Sequence, residues 1–283
     1  MLKGSFPALI TPLHNNQVDT DALIALLHKH LDAKTDGLVL CGSTGEGMLL
    51  SKEERLHIFH TAKSIVGHKI PLVVGCSHFN YNHLLELIDP SYETILVTPP
   101  PYIKPSQEGI IAFYERLLQD TQANIILYNI PGRCCVNMEV ETIKILFKHP
   151  RIIGLKDSNV DLSRIEALAS YNKSKGLFCG EDSALLDYVK KGGNGCISVV
   201  GNLAPKLMKD FFETHDFEKL NAYIELLNQG GNPSMVKGLM SLRHECHNEL
   251  RFPLMPIKDS VLAQLKGPLD DLQGDCNKQA CQV

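Results

Sequence analysis

Asn124-Ile-Ile-Leu-Tyr-Asn129 and Ile152-Ile-Gly-Leu-Lys-Asp157 decide how this chain folds. Both are short apolar runs without the alternation of a half-exposed strand. Strands buried on both faces read this way. Between them, Glu139–Phe147 reads as a helix. Strand, helix, strand is the unit of a parallel sheet. The same unit recurs on either side. Phe6–Thr11, Gly37–Gly42, Ile70–Gly75 and Thr94–Pro99 precede it, and Gly176–Gly180 and Gly195–Val200 follow, giving eight runs. They start about every 27 residues, which a strand, a helix of about 11 or 12 residues and two short loops fill.

Helix signals occupy the gaps. Asp19-x-Asp21 opens Ala22–Ala33, with Leu23, Leu26, Leu27 and Leu31 on one face. Ser51-x-x-Glu54 is a capping box ahead of Leu56, Ile58, Phe59, Ala62 and Ile65. Asn80 is placed to cap Leu84–Ile88, and Pro105–Asp120, Asp161–Tyr171, Ser183–Lys191 and Pro205–Thr214 follow later runs. Eight such units predict an α/β chain folded as a (β/α)8 TIM barrel. An open doubly wound sheet is the alternative. That fold commonly shows a Gly-rich fingerprint after its first strand, whereas Thr11-Pro12-Leu13 stands here.

Length and composition set the outer bounds. The 283 residues hold one large domain or two small ones. The repeat assigns residues 1–214 to a catalytic barrel. Residues 215–266 form a C-terminal helical region, with helices at Phe217–Gln229, Met235–Cys246 and Asp259–Leu265. Residues 267–283 show little periodicity and are expected to be a loose tail. Apolar residues at 44% and charged residues at 21% exclude disordered, collagen-like and coiled-coil chains. A net charge of -4 without a basic block excludes a nucleic-acid partner. No apolar run approaches the 18 or more residues of a spanning helix, so no membrane partner is expected. Pro7 and Pro12 break the N-terminal apolar stretch, which argues against a secretory signal. The nine cysteines, an odd number with no Cys-x-x-Cys pair, read as reduced thiols of a cytoplasmic protein. The pairs His28/His30, His57/His60 and His244/His247 lack metal-ligand spacing, so neither metal nor cofactor is expected.

In a barrel of this kind, chemistry sits where the strands end. Lys156 closes an apolar strand. An ammonium there is costly to bury and tends to lose its proton. The neutral amine is a nucleophile that forms Schiff bases with carbonyls. The alternative is a lysine paired with Asp157 or Glu181. Tyr128 closes the neighbouring strand, either as a proton carrier or as a core tyrosine with its hydroxyl at the rim. Gly42-Ser-Thr-Gly-Glu46 is a tight turn whose amides and hydroxyls can receive an anion. It lacks the Gly-Lys-Ser/Thr ending of a phosphate-binding loop. Arg133, just past strand five, can grip a carboxylate bidentately or simply sit on the surface.

Taken together, Gly42-Ser-Thr-Gly-Glu46, Tyr128-Asn-Ile-Pro131 and Gly154-Leu-Lys156-Asp157 resemble the pyruvate-dependent class I aldolases, the family that contains dihydrodipicolinate synthase and N-acetylneuraminate lyase. Pro7-Ala-Leu-Ile-Thr-Pro12, Val97-Thr-Pro99, Pro105-Ser-Gln-Glu-Gly109, Gly180-Glu-Asp182, Gly195 to Ser198 and Asn202-Leu-Ala-Pro205 extend the likeness from Gly4 to about Ile257. The resemblance implies that Lys156 forms an imine with pyruvate and that Tyr128 shuttles protons. Ser43 and Thr44 would bind the pyruvate carboxylate, and Gly180 and Ile197 would contribute to substrate binding. It further implies a second tyrosine entering from a neighbouring subunit, here Tyr102, and a homotetramer built as a dimer of dimers. Arg133 in Tyr-Asn-x-Pro-x-Arg is similar to the synthases, where that arginine holds the carboxylate of aspartate semialdehyde. This favours condensation of pyruvate with L-aspartate 4-semialdehyde, on the route to lysine and diaminopimelate. Cleavage of N-acetylneuraminate or a 2-keto-3-deoxy sugar acid is the alternative, and a non-catalytic barrel that binds a keto acid is a second. Ser43 where synthases usually have Thr, and Cys134-Cys135 in place of the usual Thr-Gly, are departures from the synthase pattern. Gly47, Met48, Phe79 and His83 stand where lysine-inhibited members carry polar residues, so weak or absent lysine inhibition is expected.

Overall fold

The computed structural model describes residues 1–280, with side chains described through residue 272. Eight parallel strands form one sheet: β1 (Gly4–Pro7), β2 (Leu38–Leu40), β3 (Leu72–Gly75), β4 (Thr94–Val97), β5 (Asn124–Asn129), β6 (Ile152–Asp157), β7 (Gly176–Cys179) and β8 (Gly195–Ser198). β1 pairs with β8 from Gly4↔Gly195 to Pro7↔Ser198. A parallel bridge between Ala8 and Val39 brings β1 to β2, so the sheet nearly closes. Asn202 clasps this seam, accepting from the Ile10 amide and donating to the Ala8 and Val199 carbonyls. Seven of the expected runs contain one of these strands; the first, Phe6–Thr11, overlaps β1, which starts two residues earlier at Gly4, and the open doubly wound sheet is excluded.

The runs are apolar throughout because their two faces meet different apolar layers. Phe6, Ala8, Val39, Val73, Leu96, Ile126, Tyr128, Phe178 and Ile197 form one cluster inside the barrel. Their sequence neighbours Leu38, Leu40, Val74, Ile95, Val97, Ile125, Leu127 and Leu177 pack outward with the helices. Those helices are α1 (Thr20–Asp32), α2 (Lys52–Val66), α3 (Tyr81–Leu87), α4 (Gln107–Asp120), α5 (Val140–Phe147), α6 (Leu162–Leu168), α7 (Leu185–Lys190) and α8 (Pro205–Thr214). Their caps are largely local. The capping box at Ser51 forms as the sequence requires, with Ser51 and Glu54 each accepting from the other's amide. Asp19 and Asn80 cap α1 and α3.

After the barrel come α9 (Glu218–Leu227), α10 (Ser234–Leu242) and α11 (Asp259–Ala280). The sequence places the end of the last helix at Leu265 and a loose tail from Gly267. Instead α11 runs on through Gly267 and Pro268. Leu262, Leu265 and Leu269 are buried, a stripe at helical spacing that packs against α9 and α10. Burial of that stripe outweighs the donor that Pro268 removes. Residues 281–283, the end of the expected tail, lie outside the described residues. In addition, no helix of the described residues is long and apolar enough to cross a membrane.

Candidate active site

Pairing of β5 with β6 sets Tyr128 beside Lys156 at the C-terminal end of the barrel. The Lys156 amine lies over the Tyr128 ring, 4.4 Å from its centre. Both side chains are buried. Lys156 opens into a cavity of about 560 Å³ that Ser43, Thr44, Tyr128, Arg133, Gly180 and Glu181 also line. Six of the expected site residues, Ser43, Thr44, Tyr128, Arg133, Lys156 and Gly180, therefore meet at one cavity, although they are up to 137 residues apart in the chain.

Room around the lysine is specific to glycine. A Cβ at Gly180 would stand 2.3 Å from the Ser158 hydroxyl and 2.9 Å from Lys156 Cε. Glu181 follows and lines the same cavity. Burial, then the neighbouring Asp182, pushes its carboxyl above the usual carboxylate range, while Lys156 opposes the shift. Asp182 is structural. It accepts from the Val199 and Val200 amides and so fixes the chain after β8.

The turn after β2 is held from three sides. Thr11 donates its hydroxyl hydrogen bond to the Gly45 carbonyl at 2.7 Å. The Gly47 amide closes on the Gly42 carbonyl. Glu46, in the left-handed region at φ 55, pairs with Lys237 of α10, and both side chains are fully buried. Lys237 also donates to the Glu249 carbonyl, and Glu46 accepts from the Arg251 amide. Arg55 of α2 donates to the Gly47 carbonyl from below the turn.

Asn232 joins two expected site residues. Its side-chain amide donates to the Thr44 hydroxyl at 3.0 Å, and its carbonyl accepts from Arg133 at 3.2 Å. Sequence reading passed over both Asn232 and Lys237. Asn232 gives no signal, because an Asn-Pro step reads as a loop. Lys237 does give one. It lies in Met235-Val-Lys-Gly-Leu-Met240, and a lysine in so apolar a helix needs an anion, as argued for Lys156.

Three other expected residues fall differently. Ile197 belongs to the barrel interior, below the cavity. Tyr102 is 84% exposed in a left-handed loop, with its amide donating to the Cys134 carbonyl. It lines a second cavity of about 550 Å³ together with Met48, Phe79 and Cys134; Ser43, Tyr128 and Arg133 line both cavities. No hydrogen bond joins Thr44 to Tyr128 among the described residues; the Thr44 hydroxyl accepts from Asn232. Cys134 is buried and Cys135 exposed. Burial raises the Cys134 thiol above its ordinary value.

Below Lys156, Asp157 accepts from Asn129 at 2.8 Å and pairs with Arg164 at 3.0 Å. Those bonds hold the adjoining ends of β5 and β6 in register.

A barrel with a buried lysine open to a cavity at the end of β6 and a hydroxyl-bearing turn after β2 has the architecture of the Schiff-base aldolases. The sequence profile of the dihydrodipicolinate synthetase family matches residues 1–271. This chain belongs to that family. A 4-hydroxy-tetrahydrodipicolinate synthase of Rickettsia bellii is 36% identical over 281 residues, covering 94% of this chain and 96% of the relative. Among solved structures, dihydrodipicolinate synthase of Thermotoga maritima superposes with a TM-score of 0.91 at 29% identity, covering 96% of this chain and 99% of that one. The chloride-inhibited enzyme of Acinetobacter baumannii, complexed with pyruvate, superposes with a TM-score of 0.90 at 27% identity, over 96% and 99%.

Proposed function

We propose that this protein is a 4-hydroxy-tetrahydrodipicolinate synthase that condenses pyruvate with L-aspartate 4-semialdehyde. The observation that carries the reading is the Lys156 amine, buried over the Tyr128 ring and open to a cavity that Ser43, Thr44 and Arg133 share. The family and its named relatives supply the substrates. In this reading the Lys156 nitrogen attacks the keto carbon of pyruvate and water leaves, giving the imine. A methyl proton is then lost and the enamine forms. Its carbon attacks the aldehyde carbon, whose oxygen takes a proton; the semialdehyde's own amine then attacks the imine carbon, closing the ring and releasing the Lys156 amine. Tyr128 carries these protons. Ser43 and Thr44 hold the pyruvate carboxylate, and Asn232 fixes the Thr44 hydroxyl. Gly180 leaves the space that the imine needs.

Arg133 takes the carboxylate of the semialdehyde. Its place on both cavities favours condensation over cleavage of a sugar acid. Tyr102 is exposed in one chain and serves the site of a neighbouring copy in a homotetramer. Met48 and Phe79, apolar where lysine-responsive members are polar, make lysine a weak inhibitor. A lysine titration giving micromolar inhibition would refute that part. The seven cysteines whose side chains are described are free thiols, which suits a cytoplasmic enzyme.

Borohydride reduction with pyruvate, followed by peptide mapping, tests the mechanism. The expected adduct is on Lys156, and Lys156→Arg abolishes both adduct and turnover. A pyruvate adduct on another lysine, or none, overturns the reading. Arg133→Ala is expected to raise KM for aspartate semialdehyde by at least about tenfold, the worth of a charged hydrogen bond. KM for pyruvate stays near its original value. An equal rise for both substrates would return Arg133 to a structural role.

A further inference from the structure

Histidine spacing in the sequence offers no metal motif, yet the fold assembles one from distant segments. Residues 13–18 form a two-stranded hairpin after β1, with Leu13 opposite Val18 and His14 opposite Gln17. Asn15 and Asn16 at its tip are both left-handed, at φ 54 and 59, as a tight two-residue hairpin turn requires. Glu249 accepts from the Asn15 and Asn16 amides and anchors that tip to the segment after α10. This anchoring carries His14 onto His247. Their rings stack with centres 4.2 Å apart and planes 26° from parallel. Asp19, which caps α1 through one carboxylate oxygen, completes the cluster. One ligand atom from each of His14, Asp19 and His247 lies within 4.8 Å of the other two.

We propose that His14, Asp19 and His247 form a binding site for a divalent transition ion of the zinc type. Two imidazoles and one carboxylate are a ligand set suited to Zn2+, Ni2+ or Cu2+, and too nitrogen-rich for Mg2+ or Ca2+. Two atoms bound to one zinc are at most about 4.2 Å apart, twice the bond length of about 2.1 Å. His14 and His247 are exposed and Asp19 is half-buried, so small rotations of the imidazoles bring the set to bonding distance. Water completes the tetrahedron. The ion bridges the hairpin after β1, the start of α1 and the segment that follows α10. It thereby ties the barrel's first loop to its C-terminal helices. Glu249, two residues beyond His247, also receives Lys237, so the clamp adjoins the pair that holds the turn at Gly42–Glu46. The site stands apart from the Lys156 cavity, whose lining includes none of its three residues.

Metal-stripped full-length protein titrated with Co2+ and with Zn2+ tests the proposal. One equivalent of Co2+ per chain is expected to give tetrahedral d–d absorption without a thiolate charge-transfer band. Zn2+ displaces it and raises the thermal midpoint. His14→Ala and His247→Ala each weaken Zn2+ binding by at least tenfold and remove the thermal shift. Both side chains are exposed, so circular dichroism and the pyruvate adduct on Lys156 remain as in the parent. Binding that is unchanged in the His14→Ala, His247→Ala double variant overturns the proposal. So does a thiolate band, which would place the ion on cysteine, or no saturable binding at all.

Discussion

A single histidine sets an acid limit on this fold. His30 of α1 is fully buried, and neither ring nitrogen has a hydrogen-bond partner. Burial, with the nearby Lys29 charge adding to it, lowers the imidazole from an ordinary 6.5 to about 3. The unfolded chain therefore takes up a proton near pH 6.5 that the folded chain refuses until about pH 3. Between those values the unfolded state binds more protons, so stability falls as pH falls. The contribution is complete above pH 6.5 and lost by about pH 3, on the order of 5 kcal/mol at about 1.4 kcal/mol per unit. His30→Leu is expected to flatten that slope, measured as urea unfolding free energy from pH 7 to pH 4. Parallel slopes in the two proteins would clear His30 of the effect. Lys156 and His30 also mark the limit of reading residues singly. Each lies in an apolar stretch, and only the surroundings show that one opens into a cavity and the other into none.

The turn after β2 draws its support from outside the barrel. α10 supplies Lys237, whose amine is driven down by burial and held up by Glu46. Removing one partner leaves the other charge buried and alone, which costs about 3–5 kcal/mol. Lys237→Met should therefore destabilise by that much. Adding Glu46→Gln to it should recover part of the loss, because the stranded carboxylate goes. Urea unfolding of the two single variants and the double measures this coupling, and strictly additive losses would show the pair to be independent. The elements themselves were readable. Seven of the eight strands lie in the expected runs and β1 overlaps its own, because burial on both faces makes most strand positions apolar. Boundaries at Gly267 and Pro268 were not, because the local cost of those residues is small beside the buried stripe of Leu262, Leu265 and Leu269.

Across the molecule, four of the large apolar side chains left in water share one cavity. Met48, Leu49, Phe79 and Tyr102 are exposed and line the same cavity. A cluster of this kind is what the proposed assembly needs, a face for a neighbouring copy to cover. Light scattering at micromolar concentration is expected to show a tetramer. Tyr102→Phe should keep the tetramer and lower kcat, as loss of a proton path from a neighbouring copy requires. A fully active monomer would overturn both statements. The sequence by itself determined the repeat, the barrel and which strand ends carry a lysine, a tyrosine and a hydroxyl turn, because each depends on residues close together along one strand or loop. Tertiary structure alone decided that Asn232 joins Thr44 to Arg133, that Lys237 answers Glu46 and that His14 meets His247. Asn232 lies 188 residues from Thr44 and 99 from Arg133, Lys237 lies 191 from Glu46, and His247 lies 233 from His14, and no local pattern records a contact that exists only once the C-terminal helices have packed over the barrel mouth.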